Sequence, residues 1–255
     1  MIRSTADAST RGVRTLGASA RLKARIAGVL YLATVIAGFT SLYIEDGMIV
    51  RGDAAATTSH MMAAEPLFRF GILAELAGDA CYIGVTVLLY ELLKPVGRTT
   101  SLLAAFFSLV GCAVGAGGAV FLLGPFLLLG GDVPALSAFT PQQLQGLAMT
   151  AVRLEGQAYD ISLMFFGVYC ALVGVLVYRS GFMPRLVGVL MVSAGVGWLT
   201  DTIAILLDPP FARSLAPYIM APGSIGEISL MLWLLLVGLN GPKWESRAGA
   251  AMAPA

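Results

Sequence analysis

Long apolar runs of this sequence are interrupted by ionisable side chains, among them Arg69, Glu75, Asp79, Asp160, Asp201 and Glu227. An ionised group near the centre of a membrane-spanning helix costs about 2.5 to 3.5 kcal/mol even on lenient insertion scales, so such residues need partners, protons or a task. All but Arg69 are acids, and that surplus of negative charge must be balanced by protonation, a bound cation or an amine-bearing ligand. Glu75 and Asp79 are four residues apart, which places them on one face of a helix. Clustered carboxyls can also do acid–base work. No nucleophile–base pair or GxSxG turn accompanies them, so no catalytic residue is assigned and an enzyme ranks last among the functional readings.

Metal and cofactor chemistry is poorly supplied. His60 is the single histidine, which excludes multi-histidine iron or zinc sites and bis-histidine haem within one chain. Cys81, Cys112 and Cys170 sit in separate apolar runs with no CxxC spacing, and they read as small buried hydrophobes. The run His60-Met61-Met62 offers imidazole and thioether ligands that suit copper. Adjacent residues on a helix do not converge on one ion, so no metal and no cofactor is expected.

Elements that could position the charged residues follow from composition. Of 255 residues, 58% are hydrophobic and 12% charged. A soluble domain carries roughly a quarter of its residues as charges, so this chain lacks the polar surface to wrap a soluble core. A net charge of +1 gives no reason to expect nucleic acid as a partner. Apolar runs at about 26–44, 67–93, 102–129, 156–178, 186–207 and 225–239 each approach the roughly 20 residues that cross a bilayer. The first run ends in Tyr43-Ile44-Glu45-Asp46 rather than at a small-residue cleavage site, so it reads as an uncleaved helix. The expectation is an all-α polytopic membrane protein of six transmembrane helices. It is organised as a basic, disordered tail over 1–24, a single membrane domain over 25–241 and a disordered tail over 242–255. Gly124-Pro125 should kink the third helix or end its membrane part. Asp53 is a natural N-cap for a short interfacial helix over 54–64, with Pro66 separating it from the second span.

Basic residues orient this arrangement. Arg3, Arg11, Arg14, Arg21, Lys23 and Arg25 precede the first run. Lys94 with Arg98, Arg179 with Arg185, and Lys243 with Arg247 fall on the same side of a six-helix bundle. The opposite loops hold Arg51, Arg153 and Arg213. The bias predicts cytoplasmic N and C termini in a bacterial inner membrane. At 1.5 Å rise per residue, the five acids then fall in the outer half of the bilayer or near its midplane, with Arg69 at the outer end of that zone and Arg153 and Glu155 near its mouth.

Two readings of the acids follow. They line an outward-facing polar cavity that takes a cation, a proton or a small amphipathic ligand, as in a small transporter or ligand-binding membrane protein. Alternatively they form a structural network in an accessory or signalling protein. Gly111 and Gly115 make a GxxxG pair for close helix packing or a homodimer face. The starts Arg25-Ile26-Ala27-Gly28-Val29-Leu30 and Arg185-Leu186-Val187-Gly188-Val189-Leu190 echo one another, as repeated hairpins would. Tyr31, Tyr43, Tyr90, Tyr178 and Trp244 fall where interfacial aromatic belts are expected.

The stretch from Gly52 through His60, Glu65 and Arg69 to Gly71 resembles the outer-loop motif of a bacterial membrane family, domain-of-unknown-function family 4386. So do Leu89-Tyr90-Glu91-Leu92-Leu93-Lys94-Pro95, the pattern from Ser180 through Pro184 and Arg185 to Leu190, and Gly226-Glu227 followed by an apolar run through Trp233. The resemblance covers about Arg25 to Asn240. It implies a small polytopic inner-membrane protein, and no activity, cofactor or catalytic residue.

Overall fold

A computed structural model describes residues 3–131 and 133–252. Every regular element among them is helical: α1 (Arg3–Met48), α2 (Ala54–Ala63), α3 (Glu65–Leu93), α4 (Arg98–Gly118), α5 (Gly124–Leu129), α6 (Pro141–Ser180), α7 (Arg185–Leu207), α8 (Pro209–Leu232) and α9 (Gly241–Met252). Five stretches are long and apolar enough to cross a bilayer: Gly17–Met48, Glu65–Leu93, Arg98–Leu129, Pro141–Ser180 and Arg185–Leu207. A sixth, Ala221–Val237, passes only together with Gly241–Ala251, from which it is bent by 105°. The chain is a multi-pass helical membrane protein with five to six crossings. The first five expected spans coincide with these helices.

Local chemistry explains the breaks. Pro125 has no N–H to offer the preceding turn, and the chain tightens to a 3₁₀ turn over Ala119–Leu123 before α5 begins at Gly124-Pro125. Asp53 caps α2 by accepting from the Ala56 N–H at 2.9 Å. Asp208 caps α8 in the same way, accepting from Phe211 N–H at 3.2 Å ahead of Pro209-Pro210. Pro66 starts α3 rather than breaking it, because proline fits the first helical turn, where its missing N–H has no partner to lose. At its other end α8 widens into a π-turn over Trp233–Val237, closed by Gly238 N–H donating to the Trp233 carbonyl at 2.8 Å. Gly238 has φ 77°, a conformation open to glycine at little cost, and it redirects the chain into α9.

Parts of the two tails read as disordered from composition are helical. α1 already covers 17–24, with Ala20 and Ala24 buried. α9 is held where Trp244 Nε1 donates to the Leu92 carbonyl at 2.9 Å and Asn240 N–H donates to the Phe182 carbonyl at 3.1 Å. Small residues and one tryptophan supply contacts that polarity alone conceals. The extreme ends of the two tails, 1–2 and 253–255, lie outside the described residues.

The contacts divide the chain into two compact units, one of Met1–Leu32, Ile83–Val110 and Leu163–Ala255, the other of Ala33–Tyr82 and Gly111–Ser162. In the first, α6 and α7 meet through glycines. A Cβ on Gly174 would lie 2.7 Å from the Gly188 carbonyl oxygen, and one on Gly188 would lie 2.6 Å from the Tyr178 nitrogen. Backbones this close admit no side chain. α8 packs on α7 similarly, with Gly223 against the Trp198 ring and Gly226 against Leu190.

The second unit has its own apolar core. Met61 and Leu122 are fully enclosed, and Phe68 meets the Phe126 ring edge-on at 5.6 Å. α2 contributes Met61, Thr57 and Thr58 to buried positions, so this helix is part of the fold and not an amphipathic strip alone. Of the GxxxG pair, Gly111 is buried, and Gly115 lies opposite Asp79.

Candidate functional site

The second unit encloses a cavity of about 600 Å³, lined by Gly38, Ser41, Leu42, Glu45, Glu75, Arg153, Glu155, Gly156, Gln157, Tyr159 and Asp160. Three helices build it. α1 brings Ser41 and Glu45 one turn apart on a single face; α3 brings Glu75; α6 brings Arg153 through Asp160. Thr34 Oγ1 donates to the Gly78 carbonyl at 3.1 Å, and Gly78 sits against Ala37, which holds α1 and α3 close. On the α6 side, Gly118 sits against Ala158 and Gly124 against Ala151.

Four carboxyls and one guanidinium therefore face one space. Ser41 Oγ donates to Glu45 Oε1 at 3.1 Å, and Gln157 Nε2 donates to Asp160 Oδ2 at 3.3 Å. Glu75 lies within electrostatic reach of Glu155, Glu45 and Asp79, and Glu155 within reach of Glu45 and Asp160. Glu75 Oε2 is buried without a hydrogen-bond partner, and so is Asp79 Oδ2 one turn further along α3. A buried carboxyl oxygen left unpartnered costs free energy until a proton, a cation or a donor reaches it. Among the described residues, no three His, Cys, Asp or Glu side chains converge as a metal shell. The acids are spread around a space of small-molecule size.

The structure treats the sequence-derived candidates differently. Glu75 and Asp160 line the cavity together, and Asp79, half-buried with its Oδ2 enclosed, lies one turn beyond Glu75 on the same helix. Arg69 does not line it. Its Nε pairs with Glu65 Oε1 at 2.7 Å, one turn away, and its guanidinium lies 4.8 Å from the Phe126 ring centre, half exposed. The base that does line the cavity is Arg153. Glu45 was hidden at the end of the first apolar run, where it reads as a boundary marker. Its signal was its spacing from Ser41.

Asp201 and Glu227 belong to the first unit. Asp201 is buried on α7. Glu227 is a junction. Tyr31 Oη donates to Glu227 Oε2 at 2.9 Å, Trp198 Nε1 donates to Oε1 at 2.9 Å, and Cys170 Sγ donates to Oε1 at 3.6 Å. One carboxyl thus ties α1, α6 and α7 to α8. Tyr31, expected in an interfacial belt, is 1% exposed and serves this junction instead.

The model of a family described as "Domain of unknown function (DUF4386)" matches residues 26–238. A protein of Archaeoglobus fulgidus described as uncharacterized is 28% identical over 156 residues, covering 61% of this chain and 76% of the relative. No solved structure matches.

Proposed function

The chain belongs to the DUF4386 family, and from that premise we propose that it binds a small organic cation in the cavity between Glu45, Glu75, Glu155 and Asp160. The observation that carries this reading is Glu75. Its Oε2 is buried and unpartnered at a cavity whose lining holds four carboxyls against the single cation Arg153. A cationic ligand with an apolar body would balance the charge, and Leu42 and Tyr159 would contact that body. A low-dielectric surround strengthens such pairing relative to water. The uneven distribution of Lys and Arg supports cytoplasmic termini in a bacterial inner membrane. In that orientation the loop after α1 and the start of α6 face outward, so the cavity would load from outside and the protein would act as a receptor or carrier.

The test is equilibrium binding of tetraphenylphosphonium to the full chain in nanodiscs, with tetraphenylborate as an anion of the same shape and empty nanodiscs subtracted. The expected result is saturable binding of the cation alone, weakened about tenfold or more in Glu75→Gln/Glu155→Gln, the loss of about 1.4 kcal/mol or more. Equal binding of both ions, or binding unchanged in the double variant, overturns the assignment. Vesicle uptake of the same probe then separates a carrier from a receptor.

A second reading has support of its own at Glu227. With three side-chain donors on one carboxyl, this residue reads as a structural brace and is not assigned to ligand binding.

A further inference from the structure

A second cavity, in the first unit, has the opposite electrostatic character. It is a half-open cavity of about 700 Å³, and its lining includes Arg21, Arg25, Phe182, Trp233, Gly238 and Asn240. Arg21 and Arg25 are one helical turn apart on α1, so both project from the same face. Like charges at this spacing repel, by roughly 0.2–0.5 kcal/mol on an isolated helix. Neighbouring cations are neutralised. Lys23, between them, pairs with Glu91 at 3.6 Å, and Glu91 also holds Lys94 at 2.7 Å. Among the described residues no carboxylate lies within ion-pair distance of Arg21 or Arg25. Glu245 lies against Gly17, one turn before Arg21, and makes no such pair.

The rest of the lining offers donors. Trp233 Nε1 is buried with no hydrogen-bond partner. An indole N–H can only donate, so it is a donor with no acceptor among the described residues. Asn240 spends its Oδ1 on the Lys243 N–H at 3.1 Å, capping α9, and what it retains is an amide N–H₂. The glycines make room for the cations. Arg21 Nε would be 3.1 Å from a Cβ on Gly241, and Arg25 Cγ would be 4.0 Å from one on Gly238. Both stems thus lie along the segment that leaves the π-turn, a distortion that often marks a functional site.

We infer that this cavity is an anion site for a phosphate group, held by Arg21 and Arg25 with the Trp233 indole N–H and the Asn240 amide as neutral donors. Guanidinium groups suit phosphate because they offer paired N–H donors in a plane. The position of Arg21 and Arg25 at the start of the first apolar stretch, with Phe182 and Val237 as apolar walls, favours the headgroup of an anionic phospholipid. Basic pockets between membrane helices take such headgroups. A free phosphate monoester has the same chemistry, and the experiment separates the two sources. This site is independent of the acidic cavity, so either assignment can fail alone.

The experiment measures thermal unfolding of the delipidated full chain in an uncharged detergent. Phosphatidylglycerol, phosphatidylcholine or inorganic phosphate is then titrated in. Stabilisation by phosphatidylglycerol well beyond that by phosphatidylcholine, with an apparent affinity lowered about tenfold or more in Arg21→Gln/Arg25→Gln, supports the lipid headgroup. Equal stabilisation by inorganic phosphate, with the same loss in the double variant, supports a soluble phosphate ligand. Trp233→Phe keeps an aromatic side chain, smaller than the indole, and removes the N–H, and a severalfold weaker response is expected there even if the arginine variant does not fold. No response to either anion, or responses that all variants share with the unaltered chain, overturns the site.

Discussion

The Tyr31 hydroxyl on α1 donates to Glu227 Oε2 on α8 across 2.9 Å, joining residues 196 positions apart in sequence. The same carboxyl receives Trp198 Nε1 from α7 at 2.9 Å. Removing one donor and removing the acceptor should therefore cost different amounts. Tyr31→Phe deletes one interhelical hydrogen bond, worth about 0.6 to 1.7 kcal/mol in a membrane protein. Glu227→Ala leaves donors unpaired on three helices, Tyr31 on α1, Cys170 on α6 and Trp198 on α7, at about 1–3 kcal/mol for each buried one. Glu227→Gln keeps one acceptor oxygen and turns the other position into an amide N–H₂ donor, and should fall between them. Unfolding in mixed micelles, read by helical circular dichroism, ranks the three. A Glu227→Ala protein as stable as Tyr31→Phe would show that the junction is not shared.

Gly174 and Gly188 should tolerate no side chain. A Cβ at either meets backbone atoms of the facing helix at 2.7 and 2.6 Å. Gly174→Ala or Gly188→Ala is expected to destabilise by about 1–3 kcal/mol, the usual cost of overpacking. Gly146→Ala on the same α6 meets nothing within 4 Å and should be neutral or stabilising by up to about 1 kcal/mol, from helix propensity. The same unfolding assay decides it, and equal effects at the three positions would contradict the packing.

Arg69 and Arg153 should behave oppositely toward a cationic ligand. Arg69 is engaged with Glu65 and Phe126 at the surface. Arg69→Gln should cost no more than about 1 kcal/mol of stability and leave tetraphenylphosphonium binding unchanged. Arg153 is the lone positive side chain in the acidic cavity, and Arg153→Gln should tighten that binding. Weaker binding after Arg153→Gln would mean that the guanidinium orders the carboxyls more than it repels the ligand.

α9 should depend on one indole. Trp244 Nε1 donates to the Leu92 carbonyl at 2.9 Å. Trp244→Phe loses that bond, worth about 1 kcal/mol, and hydrogen exchange in 241–252 should accelerate while exchange in α3 and α6 stays slow. Unchanged exchange would place the hold on α9 elsewhere, at Asn240.

Much of this architecture was legible in residue order. Span length, the cap at Asp53 and the break at Gly124-Pro125 are short-range chemistry, set by hydropathy, one side-chain oxygen and one missing N–H. Burial of acids in apolar runs was equally readable, and Glu75, Asp79 and Asp160 were visible for that reason. What residue order could not supply is which helix face meets which. Tyr31 belongs to a buried junction rather than a belt, Arg69 pairs with its own helix, and Glu45 joins the acidic cavity. Each of these depends on where helices cross, and crossings are decided by glycine and alanine contacts between distant segments, such as Gly78 against Ala37 and Gly118 against Ala158. The sequence by itself determined that this is a helical membrane protein carrying surplus intramembrane acid. Only the tertiary structure decided that Glu75 and Asp160 share one cavity while Glu227 holds helices together, because side chains from separate helices converge only after the backbones have packed.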